Sequence, residues 1–123
     1  MDYKKLISKA VNAKKLAYAP YSKFRVGAAV MTEDGNIYTG CNIENVSYGA
    51  TNCAERTAIF KAVSEGHRNL KAIAIAGSDK EYTYPCGICR QVISEFAGED
   101  MKIIIVKNEN EYMVKKLEEI LPY

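Results

Sequence analysis

Cys53, Cys86 and Cys89 lie in two segments more than thirty residues apart, T-N-C-A-E-R-T-A-I at 51–59 and Y-P-C-G-I-C-R at 84–90. The demand that these segments meet constrains the fold more than any other feature, because thiols in this pattern are soft metal ligands. Three thiolates leave the fourth tetrahedral position of a zinc ion free for water, the layout of a reactive site rather than a closed structural one. Glu55, two residues after Cys53, adds a carboxylate able to move that water's protons. The residues alone therefore predict a hydrolytic zinc site with Glu55 as proton carrier.

Two disulfides are the other use of four cysteines. A chain of 123 residues that is 48% apolar can build an ordinary core and does not need them. Its length predicts one domain over residues 1–123. The start Met1-Asp2-Tyr3-Lys4-Lys5 has no apolar h-region, and no run approaches the roughly 18 residues that span a bilayer. A cytoplasmic location is expected, where thiols stay reduced. Net charge is +2 and the pI near 8.3, with lysines scattered along the chain, so neither nucleic acid nor a membrane is an expected partner. His67, the only histidine, follows Gly66 where a helix is expected to end, and reads as a solvated surface residue. Any metal must then be held by sulfur. Cys41 could close the site as a fourth ligand, leaving Glu55 an ordinary helix-start carboxylate. Twelve residues from Cys53, however, it does not form the close pair of closed zinc sites, and it reads instead as a small buried residue ending a strand.

Leu6, Ala10, Ala13 and Ala17 recur at helical spacing, predicting an amphipathic helix over 2–18 that Pro20 stops. From Phe24 to Met31 the chain is almost continuously apolar beyond Val26, as in a strand covered on both faces. Asp34-Gly35 marks a hairpin turn, and 37–41 returns as the second strand. Residues 42–52, rich in Asn, Ser and Gly, read as a loop that serves a function. A helix over about 53–65 follows, ended by Gly66; then come a strand at 70–76, a long loop at 77–85, a helix at 86–96 and a strand at 102–106. The tail is ambiguous: Met113, Leu117, Ile120 and Leu121 suit a helix, whereas 111–115 suits an edge strand.

This order predicts an α/β fold of three layers, a mixed sheet of about five strands with helices on both faces. Both cysteine-bearing helices should begin at the carboxyl ends of the strands before them, so that two helix N-termini meet on one rim. Residues two apart in a helix point about 200° from each other. Cys53 must therefore stand at the start of its helix in non-helical geometry if it and Glu55 are to face one metal, while Cys86 and Cys89 share a face. Three thiolates also bring more negative charge than zinc brings positive. Arg56 and Arg90 are the candidates to offset it by bonding sulfur, the alternative for each being a surface arginine near a helix start.

C-A-E followed at a distance by P-C-x-x-C is the pattern of zinc-dependent nucleobase deaminases. Four ordered blocks make the chain resemble the small homotetrameric cytidine deaminases over nearly its whole length: Y-S-K-F-R-V-G-A-A-V at 21–30, G-C-N-I-E-N at 40–45, N-C-A-E-R-T-A at 52–58 and P-C-G-I-C-R-Q-V-I-S-E-F at 85–96. The resemblance implies a cytidine deaminase-like fold, one zinc ion per subunit on Cys53, Cys86 and Cys89, and a homotetramer. The activity it implies is hydrolytic deamination of cytidine and 2′-deoxycytidine to uridine and 2′-deoxyuridine in pyrimidine salvage. Hydroxide on the metal would attack C4, with Glu55 shuttling protons to N3 and then to the departing amine. By the same resemblance the main chain of Ala54 and Cys86 reads the base edge, Asn42 and Glu44 hold ribose hydroxyls, Phe24 lies against the nucleoside, and Arg56 neutralises thiolate charge. The Tyr48 region is implied to reach a neighbouring subunit's site.

Residues two apart in extended chain project to one side, so Asn42 and Glu44 can grip one hydroxyl together. Plain loop polarity for that pair, and simple core packing for Phe24, are the alternatives. In one respect the sequence departs from the family, whose members continue past the L-P near the carboxyl end with a phenylalanine segment that closes over a neighbour's pyrimidine. Here the text stops at Leu121-Pro122-Tyr123. Either Tyr123 substitutes or the lid is missing. Two rival readings share the cysteine segments: a deaminase of a cytosine-bearing antibiotic such as blasticidin S, which has no need of N-I-E-N, and a zinc-stabilised binding module without turnover.

Overall fold

The apolar run L-K-A-I-A-I-A forms β3 (Leu70–Ala76) at the middle of a five-stranded sheet, and all of it but Lys71 is buried. The structure, a computed structural model, describes residues 3–120. The expected lid at Leu121, Pro122 and Tyr123, and the first residue of the expected leading helix, lie outside the described residues. Around β3 stand β1 (Gly27–Thr32), β2 (Ile37–Cys41), β4 (Ala97–Asn108) and β5 (Glu111–Lys116), in the order β2-β1-β3-β4-β5. Among the described strands only β3 and β4 pair in parallel. The helices are α1 (Lys4–Ala13), α2 (Ala54–Ser64), α3 (Gly87–Phe96) and the single turn α4 (Leu117–Ile120).

Strand residues alternate between faces, and that alternation divides the core in two. Ala29, Ala74, Ile104 and Val106 meet Leu6, Ile7 and Ala10 of α1. Val30, Ile73, Ile75, Ile103 and Ile105 meet Ala58 and Ile59 of α2, Ile93 of α3 and Ile120 of α4. Each buried isoleucine contributes about 1.5–3 kcal/mol by leaving water, and covering both faces produces the three-layer α/β/α arrangement that the element order predicts. No described helix is long and apolar enough to cross a membrane.

The sheet's polarity places the site. Gly27, the first residue of β1, pairs with Cys41 on one side and Ala76 on the other, so β2 and β3 both end on the same rim. Gly40 lets α2 lie against β2. A Cβ there would stand 2.4 Å from the Ala58 nitrogen and 2.7 Å from the Ala54 oxygen.

Some elements differ from the sequence expectation. The leading helix becomes a 3₁₀ turn at Lys14–Leu16. Lys14 there donates its ammonium to the Gly77 carbonyl at 2.7 Å, and although Ala17 of the predicted spacing is buried, Leu16 is 82% exposed. β4 begins directly after α3 at Ala97 rather than at Lys102, pairing Ala97 with Leu70 before an irregularity. Both readings of the tail hold in part: β5 is the edge strand, and α4 follows with its Glu119 carboxylate accepting from the Lys116 N–H at 2.9 Å. His67 is half-buried rather than freely solvated. It sits 3.5 Å from the Asp34 carboxylate with its ring 5.5 Å from Tyr38, bracing the β1–β2 hairpin against the end of α2.

Candidate active site

Both cysteine-bearing helices start with a cysteine. Cys53 precedes α2 and Cys86 precedes α3, each with extended backbone at ψ of 157° and 172°. This is the non-helical start that the C-A-E spacing demands of Cys53, and it frees both side chains to turn to one point. Cys89, the third residue of α3, is fully buried beside them. The sulfurs of Cys53 and Cys86 are 3.8 Å apart and those of Cys86 and Cys89 3.2 Å, and all three lie within 4.8 Å of one another.

Thiolates about 2.3 Å from a tetrahedral zinc ion stand roughly 3.8 Å apart, so this donor set fits one such ion and leaves one position over. Among the described residues the cluster has these three members. Cys41 ends β2 half-buried and outside it. Without a cation, adjacent thiols cannot all ionise. The Cys89 thiol beside it, then the Arg56 guanidinium, holds the Cys53 thiol well below its ordinary pKa, against the effect of burial. Cys89, beside the Cys53 thiolate and buried, is pushed up. A bound cation supplies the charge that lets every ligand ionise.

Glu55 occupies the first turn of α2 and is 4% exposed. Burial, with the Cys53 thiolate adding to it, raises its pKa to about 7. A carboxyl so poised both takes and gives a proton near neutral pH. Arg56 directs Nη2 to the Cys53 sulfur at 3.4 Å, and its Nε is buried with no partner among the described residues. Arg90 makes no such contact: its guanidinium bonds the Pro85 and Ile120 carbonyls.

A cavity of about 380 Å³ brings Cys53, Ala54, Glu55 and Cys86 together with Phe24, Asn42 and Glu44, a volume within the ordinary range for small-molecule sites. Residues 42–44 are extended, with Ile43 bridged to Tyr18 and Asn52, which turns Asn42 and Glu44 to the same side. Both also brace the neighbouring loop. The Asn42 amide accepts from Val26 N–H and donates to the Phe24 carbonyl, each at 2.8 Å. Glu44 accepts from the Tyr21 and Ser22 N–H groups at 2.9 and 3.1 Å and from the Ser22 hydroxyl. The Ser22 hydroxyl, first among these causes, holds the Glu44 carboxyl below its ordinary pKa. Phe24 is 44% exposed and forms cavity wall rather than core. Its ring lies over Gly77, where a Cβ would come within 2.8 Å of it.

Sequence reasoning did not single out Ser22, Asn52, Thr83 or Tyr84, which also line the cavity. Ser22 and Asn52 stand inside resembling blocks and Tyr84 directly before P-C, so adjacency was a usable signal for those three. Thr83 sits in an aperiodic loop that carries none.

The chain is similar over nearly its whole length to known proteins. Residues 1–107 match the family described as the cytidine and deoxycytidylate deaminase zinc-binding region. The chain is 49% identical over 122 residues to a cytidine deaminase of Sporosarcina psychrophila, covering 99% of this chain and 90% of that one. It is 48% identical over 122 residues to a cytidine deaminase of Halalkalibacterium halodurans, covering 99% and 92%. A crystal structure of cytidine deaminase from Burkholderia pseudomallei superposes with a TM-score of 0.91 at 43% identity, covering 99% of this chain and 98% of that one.

Proposed function

The chain belongs to the cytidine and deoxycytidylate deaminase family, and on that premise we propose that it hydrolyses cytidine and 2′-deoxycytidine to uridine and 2′-deoxyuridine with release of ammonia. The observation that carries this reading is the convergence of three sulfurs and one buried carboxyl on a cavity that also holds Phe24, Asn42 and Glu44. Cys53, Cys86 and Cys89 would hold zinc, which when bound supplies a Lewis acid that makes water nucleophilic near neutral pH.

The remaining work falls to the chain itself. Glu55 takes a proton from the attacking water and delivers it to N3 of the pyrimidine, then passes the second proton to the exocyclic nitrogen, which departs as ammonia. Ala54, the first residue of α2, has an N–H without a partner inside the helix, and this donates to the base. The Cys86 carbonyl, whose one lone pair accepts from the Arg90 N–H at 2.9 Å, has a second for the amino group. Asn42 and Glu44 retain unused donor and acceptor capacity after bracing the loop, and this holds the ribose hydroxyls. Phe24 covers the sugar and base, and Arg56 withdraws charge from the Cys53 sulfur.

Four free cysteines suit the reducing cytoplasm. Association into a homotetramer is supported by apolar side chains left bare, with Leu16 82%, Val46 85% and Tyr48 91% exposed. Tyr48 also lines the cavity, which suits a site completed near a subunit interface. Ultraviolet absorbance and ammonia release test the reading on purified protein given cytidine, 2′-deoxycytidine and blasticidin S. Turnover of the first two is expected. Turnover of the antibiotic alone, or of none, overturns it.

A further inference from the structure

Arg90 follows the second thiol of C-G-I-C yet does not bond sulfur. Instead it holds both peptides that flank Cys86. Its own N–H donates to the Cys86 carbonyl at 2.9 Å, and its side-chain Nε donates to the Pro85 carbonyl at 2.9 Å. A third bond runs from Nη1 to the Ile120 carbonyl at 3.1 Å. Ile120 closes α4 and is 4% exposed in the core shared with α2 and α3. A rigid, planar fork thus ties the peptide ahead of Cys86 to a fixed point in the core, across thirty residues of sequence.

We propose that Arg90 is a positioning residue for the metal site, setting the place of the Cys86 sulfur by clamping the Pro85 carbonyl against the end of α4. Of the three thiols, Cys86 most needs such a clamp. Cys89 is fully buried and Cys53 half-buried and bonded by Arg56, whereas Cys86 is exposed and stands outside the helix it precedes. Pro85 has no N–H, so its carbonyl is the one main-chain group by which that residue can be tethered. Lysine cannot replace the fork, because a single ammonium does not reach two carbonyls in the plane that one guanidinium spans.

The inference rests on Cys86 being a ligand, so the test reports on both. Zinc-loaded wild-type, Arg90→Gln, Arg90→Lys and Cys86→Ser proteins are challenged with a chromophoric chelator, and thermal unfolding of the same samples is recorded. Arg90→Gln should bind zinc about 10- to 100-fold more weakly while remaining folded, with Arg90→Lys intermediate. If Arg90→Gln does not fold, Arg90→Lys carries the test. Zinc affinity within twofold of wild type in a folded Arg90 variant overturns the proposal, whatever its melting temperature. Wild-type affinity in Cys86→Ser would instead overturn the ligand assignment beneath it.

Discussion

Gly40→Ala should damage turnover through a residue that touches no substrate. A Cβ at Gly40 would meet the Ala58 nitrogen at 2.4 Å, the Ala54 oxygen at 2.7 Å and the Thr57 Cβ at 2.9 Å, whereas ordinary contact begins at 3.4 Å. Two of these three are main-chain atoms of α2, so no side-chain rotation relieves the clash, and the helix must withdraw by about 1 Å. Forcing such an overpacked contact costs about 1–3 kcal/mol, which for a chain of this size lowers Tm by roughly 3–12 °C. The same withdrawal carries Cys53, Ala54 and Glu55 away from Cys86 and Cys89, since these stand at the start of α2. A misplacement of about 1 Å costs on the order of 100-fold in rate. Calorimetry and steady-state deamination on one sample check both numbers. A folded Gly40→Ala protein with kcat/KM within threefold of wild type would refute the claim that the α2–β2 contact positions the reaction.

Other substitutions probe single groups. Glu55→Gln should retain zinc but lose about 10²- to 10⁴-fold in kcat, because only the proton carrier is removed; metal analysis and initial rates decide it, and near-normal turnover would defeat the role. Arg56→Ala should keep the fold while slowing the reaction about 10- to 100-fold, since the Cys53 sulfur loses its 3.4 Å donor; an unchanged rate at full zinc occupancy would show that the charge is offset elsewhere. Ser22→Ala, which removes one donor from Glu44, should raise KM for cytidine about tenfold while leaving 2′,3′-dideoxycytidine unaffected. Equal losses on both nucleosides would mean that Glu44 does not serve the sugar.

The reactive end of the site was legible because its chemistry is written in residue type and spacing. C-A-E demands a non-helical Cys53, and the structure has ψ of 157° there. Strand Leu70–Ala76 was legible for a similar reason, as burial on both faces leaves a run that is apolar without interruption from Ala72 to Ala76. What escaped depends on partners that sequence does not name. Arg90 reaches main-chain carbonyls, which every residue possesses, so nothing in the text distinguishes Pro85 and Ile120 as its acceptors. Asn42 and Glu44 likewise brace Val26, Phe24, Tyr21 and Ser22 through backbone groups. The early start of β4 was hidden by Gly98, Glu99 and Asp100, a polar stretch with a left-handed φ of 60° at Asp100 that reads as a turn.

The three sulfurs and Glu55 stand at helix starts seated on the sheet, whereas Ser22, Phe24, Thr83 and Tyr84, which line the cavity, belong to connecting segments. The proposed function thereby divides reactivity and selectivity between separable parts of the molecule. A lineage can exchange the nucleosides it accepts by rewriting those segments while the machinery that breaks the carbon–nitrogen bond stays as it is.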